Sequence, residues 1–309
     1  MRGEKMKYNI DKELKNLAKY KGSAVVRLYP LLNIAYQINS CKSDDRVTVN
    51  KYSTPGYNGV KLSTLVIEPK QSTDKLPCIV FYHGGGLLLK ASKAHYQIAK
   101  LYAEMANCKV ILTDYRLLPK YRYPIAIEDC YSTYIWAVHN AEQIHINSDK
   151  IIVAGDSAGG NIASAVAMML QDRKQFSPKG AILIYPVLDR RMNTESMKRY
   201  IDTPVWDANC TELFWKIYLK NQIPRQIQYA SPMEADSLKH FPKTYVEVAE
   251  FDCLHDEGVA FAERLQSEGI SVDLHEVKGA CHGFEAAIKS TIVTDSINKR
   301  IKWIRSVFD

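Results

Sequence analysis

The sequence predicts an α/β protein built on a doubly wound, mostly parallel sheet. Two observations carry that expectation. Cys78–Tyr82 (CIVFY), Val110–Thr113 (VILT), Ile151–Ala154 (IIVA) and Ala181–Tyr185 (AILIY) are short unbroken apolar runs, which is how strands covered on both faces read. Segments of helical period separate and follow them, at about 93–106, 125–140, 158–171, 257–268 and 291–308.

Along the chain, Ile10, Leu14 and Leu17 stand at helical spacing among Lys and Glu and predict an amphipathic helix over 9–21. A stretch rich in Leu and Tyr predicts a second helix over 23–39. The period then changes. Arg46–Tyr52 alternates and Ser63–Ile67 is another short strand; Thr244–Val248 and Val272–Val277 bring the set to about eight. In the last helix Ile297, Ile301, Ile304 and Phe308 step by four, three and four. Residues 190–225 interrupt the alternation, first polar and then aromatic at Trp206, Phe214, Trp215 and Tyr218. They read as an insertion lying over one edge of the sheet, together with the N-terminal 45 residues.

Composition narrows the class. Of 309 residues, 46% are apolar and 24% charged, which excludes a disordered chain or a disulfide-dense mini-protein. The net charge of +7 is concentrated at the ends. Residues 1–21 carry seven Lys/Arg against three Asp/Glu, residues 288–309 five against two, and the remainder balances. No aromatic interleaving or nucleic-acid motif accompanies that charge, so solvated helix faces are expected, with no nucleic-acid partner and no stable membrane association. Seven cysteines, odd in number and scattered without a CxxC pair, indicate neither a zinc site nor a disulfide framework; no metal and no cofactor is expected. The N-terminal MRGEKMKYNIDKELKNL lacks the apolar core of a secretory leader, and the apolar stretch Ser23 to Tyr36 is broken by Arg27 and Pro30. The expected location is cytoplasmic.

The chemistry sits in Gly155-Asp156-Ser157-Ala158-Gly159, between the strand Ile151–Ala154 and a helix of small residues. A serine on a sharp strand-to-helix turn has its hydroxyl aimed out of the sheet. Small residues two before and two after let strand and helix approach, and the helix N-terminus supplies free N–H groups. His83-Gly84-Gly85-Gly86 follows the strand CIVFY. A glycine run there suits backbone N–H groups that must reach an oxyanion. Gly84 and Gly85, with Ala158, are the expected donors, although which two of the three glycines point inward is open. His83 reads as a loop-ordering hydrogen bonder. A serine nucleophile needs a base, and the base an orienting acid, in the chain order Ser, Asp/Glu, His. Among His240, His255, His275 and His282, only His282 lies in a short loop beyond a strand end, in Gly279-Ala-Cys-His-Gly283, at the edge where parallel sheets bind ligands. Asp252 stands just past the strand Thr244–Val248; Asp256 is its rival, with a helix-capping role as the other reading. Arg116, Glu128 and Asp129 are expected to form an ion-pair network that holds the loop after VILT.

Taken together, YHGGG (82–86), DYRLLPKYRYPIAIEDC (114–130), GDSAGGNIA (155–163), YPVLD (185–189), AEFDCLHDEG (249–258) and CHGF (281–284) resemble the hormone-sensitive-lipase-like branch of the α/β-hydrolases, the bacterial acetyl-esterase and carboxylesterase group. The resemblance implies an α/β-hydrolase fold with an eight-stranded, mostly parallel sheet flanked by helices. It implies a helical cap segment over 1–45 and a catalytic domain over 46–309, with 190–225 as a cap insertion. It implies a serine esterase acting on small-molecule esters of short acyl chains, acetyl to about hexanoyl, with Ser157, Asp252 and His282 as the triad. Gly86, Gly155, Asp156 and Gly159 support the motifs. Leu87-Leu88-Leu89 follows the glycines where the group often has an aromatic residue, and Leu118 and Lys120 replace an alanine and an acid; these departures bear on pocket shape. The alternatives are a non-catalytic binding protein on the same scaffold, or an amidase or lipase variant. A strand edge near 272–277 offers pairing across a two-fold axis in a homodimer.

Overall fold

The computed structural model describes residues 7–38, 40–70 and 75–309. Eight strands form one sheet: β1 (Val47–Pro55), β2 (Lys61–Pro69), β3 (Leu76–Tyr82), β4 (Lys109–Thr113), β5 (Ile146–Asp156), β6 (Gly180–Ile184), β7 (Lys243–Phe251) and β8 (Val272–Cys281). Their order is β1-β2-β4-β3-β5-β6-β7-β8. β1 pairs with β2, and β2 with β4, antiparallel; every other pairing is parallel. Each strand read from the sequence is present, and the continuous apolar runs occupy the middle of the sheet. There Val80 faces Val153 in the β3–β5 register, and Ala154 faces Ile182 in β5–β6.

Alternation along the central strands divides the core in two. Cys78, Val80 and Tyr82 pack with α3 (Ile125–His139), α4 (Ala158–Asp172) and α8 (His255–Ser267). Ile79 and Phe81 pack with α2 (Lys93–Met105) and α9 (Thr291–Phe308). Ile297, Ile301, Ile304 and Phe308 are all buried on this second face.

The N-terminal residues depart from expectation. Residues 9–21 form no amphipathic α-helix; they make two 3₁₀ turns, Lys12–Leu14 and Leu17–Lys19. Ile10, Leu14 and Leu17 are nonetheless buried. Tertiary ties outweigh a helix too short to offset its nucleation cost. The Asp11 carboxylate accepts the Glu13 N–H, its backbone N–H donates to Gly279 O at 2.9 Å, and Glu13 takes the Thr291 N–H at the start of α9. Helix α1 (Gly22–Ile38) follows as expected. The 190–225 segment holds α5 (Glu195–Arg199) and α6 (Ala208–Leu219), and α7 (Ile227–Ala230) follows just beyond it. It meets the N-terminal segment through a Lys21–Pro204 bridge and a Val205 N–H to Tyr20 O bond of 2.8 Å.

The loop after β4 is held by Arg116 forked on buried Asp129, 2.9 Å from Nε to Oδ2 and 2.7 Å from Nη2 to Oδ1. Glu128 takes no part in that pair, contrary to expectation. One position along α3 turns it towards α4, where Arg173 grips it at 2.6 and 3.0 Å.

Beneath the C-terminal strand ends lies a fully buried ionic cluster. Arg300 of α9 pairs with Glu247 of β7 and with Glu285, and Ser296, Tyr245 and Tyr185 complete the bonding of the two carboxylates. One cation here serves two acids inside the core. Arg300→Met therefore leaves both carboxylates without a counter-charge and lowers the unfolding free energy by about 3–5 kcal/mol, read as a fall in the urea midpoint at pH 7.

Candidate active site

Ser157 joins β5 to α4 with φ 54° and ψ −120°, a conformation that non-glycine residues rarely adopt. Close backbone packing holds it there. A Cβ on Gly155 would lie 2.1 Å from Gly159 O, and one on Gly159 would lie 2.0 Å from Tyr82 O. The Ser157 N–H donates to Ile184 O at 2.8 Å, and its carbonyl accepts from the Asn161 and Val187 N–H groups. The turn is thus tied to β3, β6 and α4 at once.

Ser157 Oγ lies 2.9 Å from His282 Nε2, and His282 Nδ1 lies 2.7 Å from Asp252 Oδ2. The second Asp252 oxygen accepts the Leu254 N–H at 3.0 Å. Asp252 is fully buried, and Ser157 and His282 nearly so. The three side chains come from the C-terminal ends of β5, β7 and β8. An acid on Nδ1 orients the imidazole so that Nε2 faces the hydroxyl. The rivals lie elsewhere. Asp256 accepts the Ser196 N–H at 2.8 Å and pairs with His255, which also reaches Glu276. His275 stacks on Tyr245 partway along β8, and His240 is exposed before β7.

The glycine loop corrects one expectation. The Gly84 N–H donates to Asp156 Oδ1 at 2.9 Å, so it is engaged and does not face the serine. Gly85 and Gly86 line the cavity beside Ser157, with φ of 100° and 62°. The Ala158 N–H belongs to the first turn of α4, where helix donors have no intrahelical partner. His83 is buried and stacked on Tyr115 at 4.5 Å, with Nδ1 2.9 Å from Gly84 O. Burial, reinforced by the nearby His95, pushes its imidazole down to about 4.

Asp156 has a second partner that sequence reading missed. His95 Nε2 sits 3.1 Å from its Oδ2, while His95 Nδ1 accepts the Ser92 N–H at 2.9 Å. The signal was Ser92 followed three residues later by His95, a capping box with histidine in place of the usual Glu or Gln. Burial opposes charge on Asp156, yet His95 and the Gly84 N–H hold its carboxyl below the usual range.

The cavity over Ser157 has a volume of about 140 Å³. Gly85, Gly86, Leu89, Ile98, Tyr185 and His282 wall it from the sheet side; Val25 and Tyr36 of α1 and Val205 and Trp206 of the insertion wall it from above. Trp206 is fixed by its Nε1–H on Thr211 Oγ1 at 2.8 Å, its ring 6.1 Å from that of His282. Among the described residues no group of three His, Cys, Asp or Glu is placed to hold a metal, and no helix is long and apolar enough to cross a membrane.

A family model described as alpha/beta hydrolase fold matches residues 79–286. The carboxylesterase NlhH of Mycobacterium tuberculosis is 32% identical over 239 residues, 75% of this chain and 74% of that protein. An ethyl acetate hydrolase of Pseudomonas putida is 29% identical over 246 residues, 79% of this chain and 77% of that protein. Among solved structures, a bacterial heroin esterase superposes with a TM-score of 0.89 at 27% identity, covering 97% of this chain and 98% of that one.

The position of His83 sets a pH dependence. Unfolded, its imidazole takes up a proton near its ordinary 6.5; folded, only near 4. Its contribution to stability is therefore complete above pH 6.5 and is lost as pH falls from 6.5 to 4. Urea midpoints should decline over that window, and His83→Gln should make the decline shallower.

Proposed function

The chain belongs to the α/β-hydrolase fold family, and on that premise we propose that it is a serine carboxylesterase working through Ser157, His282 and Asp252 on short-acyl esters. Carboxylic ester hydrolysis is what the relatives' names have in common. The observation that carries the finer reading is the chain of two hydrogen bonds, 2.9 and 2.7 Å, from Ser157 through His282 to Asp252.

In this reading the Ser157 hydroxyl attacks the ester carbonyl while His282 Nε2 takes its proton. Asp252 holds the tautomer and stabilises the imidazolium. Charge developing on the carbonyl oxygen is met by the N–H groups of Ala158, Gly85 and Gly86, already oriented, so little reorganisation opposes the step. The imidazolium returns its proton to the departing alcohol. Water, deprotonated by the same base, then cleaves the acyl-enzyme and frees Ser157.

Cavity volume supports short acyl groups: an apolar cavity of about 150 Å³ holds benzene, and the cavity over Ser157 measures about 140 Å³. The ethyl acetate hydrolase among the relatives points the same way. The walls supplied by Val25, Tyr36, Val205 and Trp206 support a division into an N-terminal cap segment (1–45), a cap insertion (190–225) and a catalytic domain (46–309), with the cap limiting acyl-chain length. The outer edge of β8, which pairs with no other strand among the described residues, supports a homodimer, and seven free cysteines are consistent with a reducing cytoplasm.

Ser157→Ala should cut kcat/KM for p-nitrophenyl acetate by at least about 10³-fold, and Asp252→Asn should cut kcat by about 10⁴-fold. Parent-like turnover by Ser157→Ala would refute the assignment, and a fluorophosphonate probe that labels the parent but not this variant excludes the binding-protein alternative. In a p-nitrophenyl series from acetate to laurate, kcat/KM should peak between acetate and hexanoate. A rise towards laurate would overturn the short-chain reading.

A further inference from the structure

We propose that the outer face of α1 docks the protein reversibly on an anionic phospholipid surface, bringing the cap that closes the catalytic cavity against the lipid. The helix has two apolar faces. On the inner one, Val25 and Tyr36 wall the cavity, Gly22 sits against Cys210, and Asn33 bonds to the backbone of Leu88 and Lys90. On the opposite one, Leu28, Leu31 and Ile34 are 45%, 65% and 57% exposed. A helix that only covers a core shows solvent a polar outer face; this one shows solvent branched apolar side chains. Leu213, on the neighbouring α6, adds another exposed apolar side chain.

Charge selects the occupant. From Leu14 to Ser43 the chain carries Lys15, Lys19, Lys21, Arg27 and Lys42 and not one Asp or Glu. Lys15, Lys19, Lys21 and Arg27 are exposed. A second copy across a two-fold axis would bring these like charges together, and a few side chains fall far short of the about 800 Å² per partner of a stable interface. An anionic bilayer satisfies both features: apolar side chains enter the acyl boundary while the flanking cations meet phosphate and carboxylate headgroups. So small an apolar area gives weak, reversible binding, since even one myristoyl chain anchors marginally. The docking agrees with the expectation of no stable association and refines it. Because α1 is also a wall of the cavity, docking would favour esters that partition into membranes; the docking itself stands apart from the ester chemistry.

The test is flotation of the full chain with vesicles of phosphatidylcholine alone and of phosphatidylcholine with an equal part of phosphatidylserine, at low and high salt. The protein should float with the mixed vesicles at low salt, and the bound fraction should fall about tenfold in high salt or without phosphatidylserine. Combining Leu28→Ser, Leu31→Ser and Ile34→Ser should lower vesicle partitioning by at least about tenfold while p-nitrophenyl acetate hydrolysis stays at the parent rate. Lys19→Glu with Arg27→Glu should remove the preference for phosphatidylserine. The proposal fails if the parent does not float with mixed vesicles at low salt, or if the triple-serine variant floats as the parent does. It fails equally if lipid-free sedimentation shows self-association that the triple-serine variant abolishes, because a second copy would then cover the face.

Discussion

Everything at the site depends on one steric constraint: three backbones cross at the end of β5 with no room for a side chain between them. Gly159 of α4 lies against Tyr82 O of β3, and Gly155 of β5 lies against Gly159 O. Both neighbours are backbone, so neither yields by a rotamer change. That crossing forces the chain through φ 54° at Ser157, and the conformation persists because its surroundings over-determine it. The same contact delivers the other parts. Tyr82 is the last residue of β3, so the glycine loop must start within a residue of the serine's own turn. Gly159 is the second residue of α4, so the free N–H groups of that helix stand directly behind the hydroxyl.

Electrostatics then separates structural from chemical acids. Asp156 is adjacent to Ser157 in sequence, but its oxygens are consumed by the Gly84 N–H and by His95. It works as a brace between the glycine loop and the start of α2. Asp252, thirty residues before His282, spends one oxygen on the Leu254 N–H and keeps the other for the imidazole. Behind both, Glu285 is occupied by Arg300 and Tyr185. Tyr185 in turn lays its ring 4.7 Å from that of His282. The base is thus supported on one side by a charged core cluster and on the other by Trp206. A buried cluster of this kind is a poor source of net stability; here it fixes the height of the floor under the imidazole.

What the sequence made legible follows from range. Ser157, its flanking glycines and the strand–helix context are local, and local geometry dictates them. His282 and Asp252 were separable from His275 and Asp256 because position relative to a strand end decides what a side chain reaches. Gly84 departs from the sequence expectation because its donor is claimed by Asp156, 72 residues later, and nothing within the run HGGG marks which N–H groups are spoken for. Glu128 and Asp129 are neighbours in sequence, yet consecutive helical residues face different partners. Residues 9–21 carry a helical period, but their apolar side chains are buried by 3₁₀ turns stitched to Gly279 and Thr291, contacts that periodicity does not encode. His95 lay in plain view within a capping box whose acceptor was not Glu or Gln.

Helix α1 shows how one element serves two environments. Its composition, Leu, Ile, Val and Tyr with Arg27 as the only charge, is too apolar for a helix that merely roofs a small cavity. The inner face accounts for Val25, Tyr29 and Tyr36; it does not account for Leu28, Leu31 and Ile34. Lys, Glu or Gln at those positions would favour helix and solubility alike. Acids are missing from this stretch even though Glu before Lys at helical spacing stabilises an exposed helix. Missing acids and retained apolar groups have one physical reading in common, a surface that is negative and oily. The ion pairs among the described residues fall outside this stretch, Arg116–Asp129, Arg173–Glu128 and Arg300–Glu247 among them, where a carboxylate stabilises protein rather than repelling a headgroup.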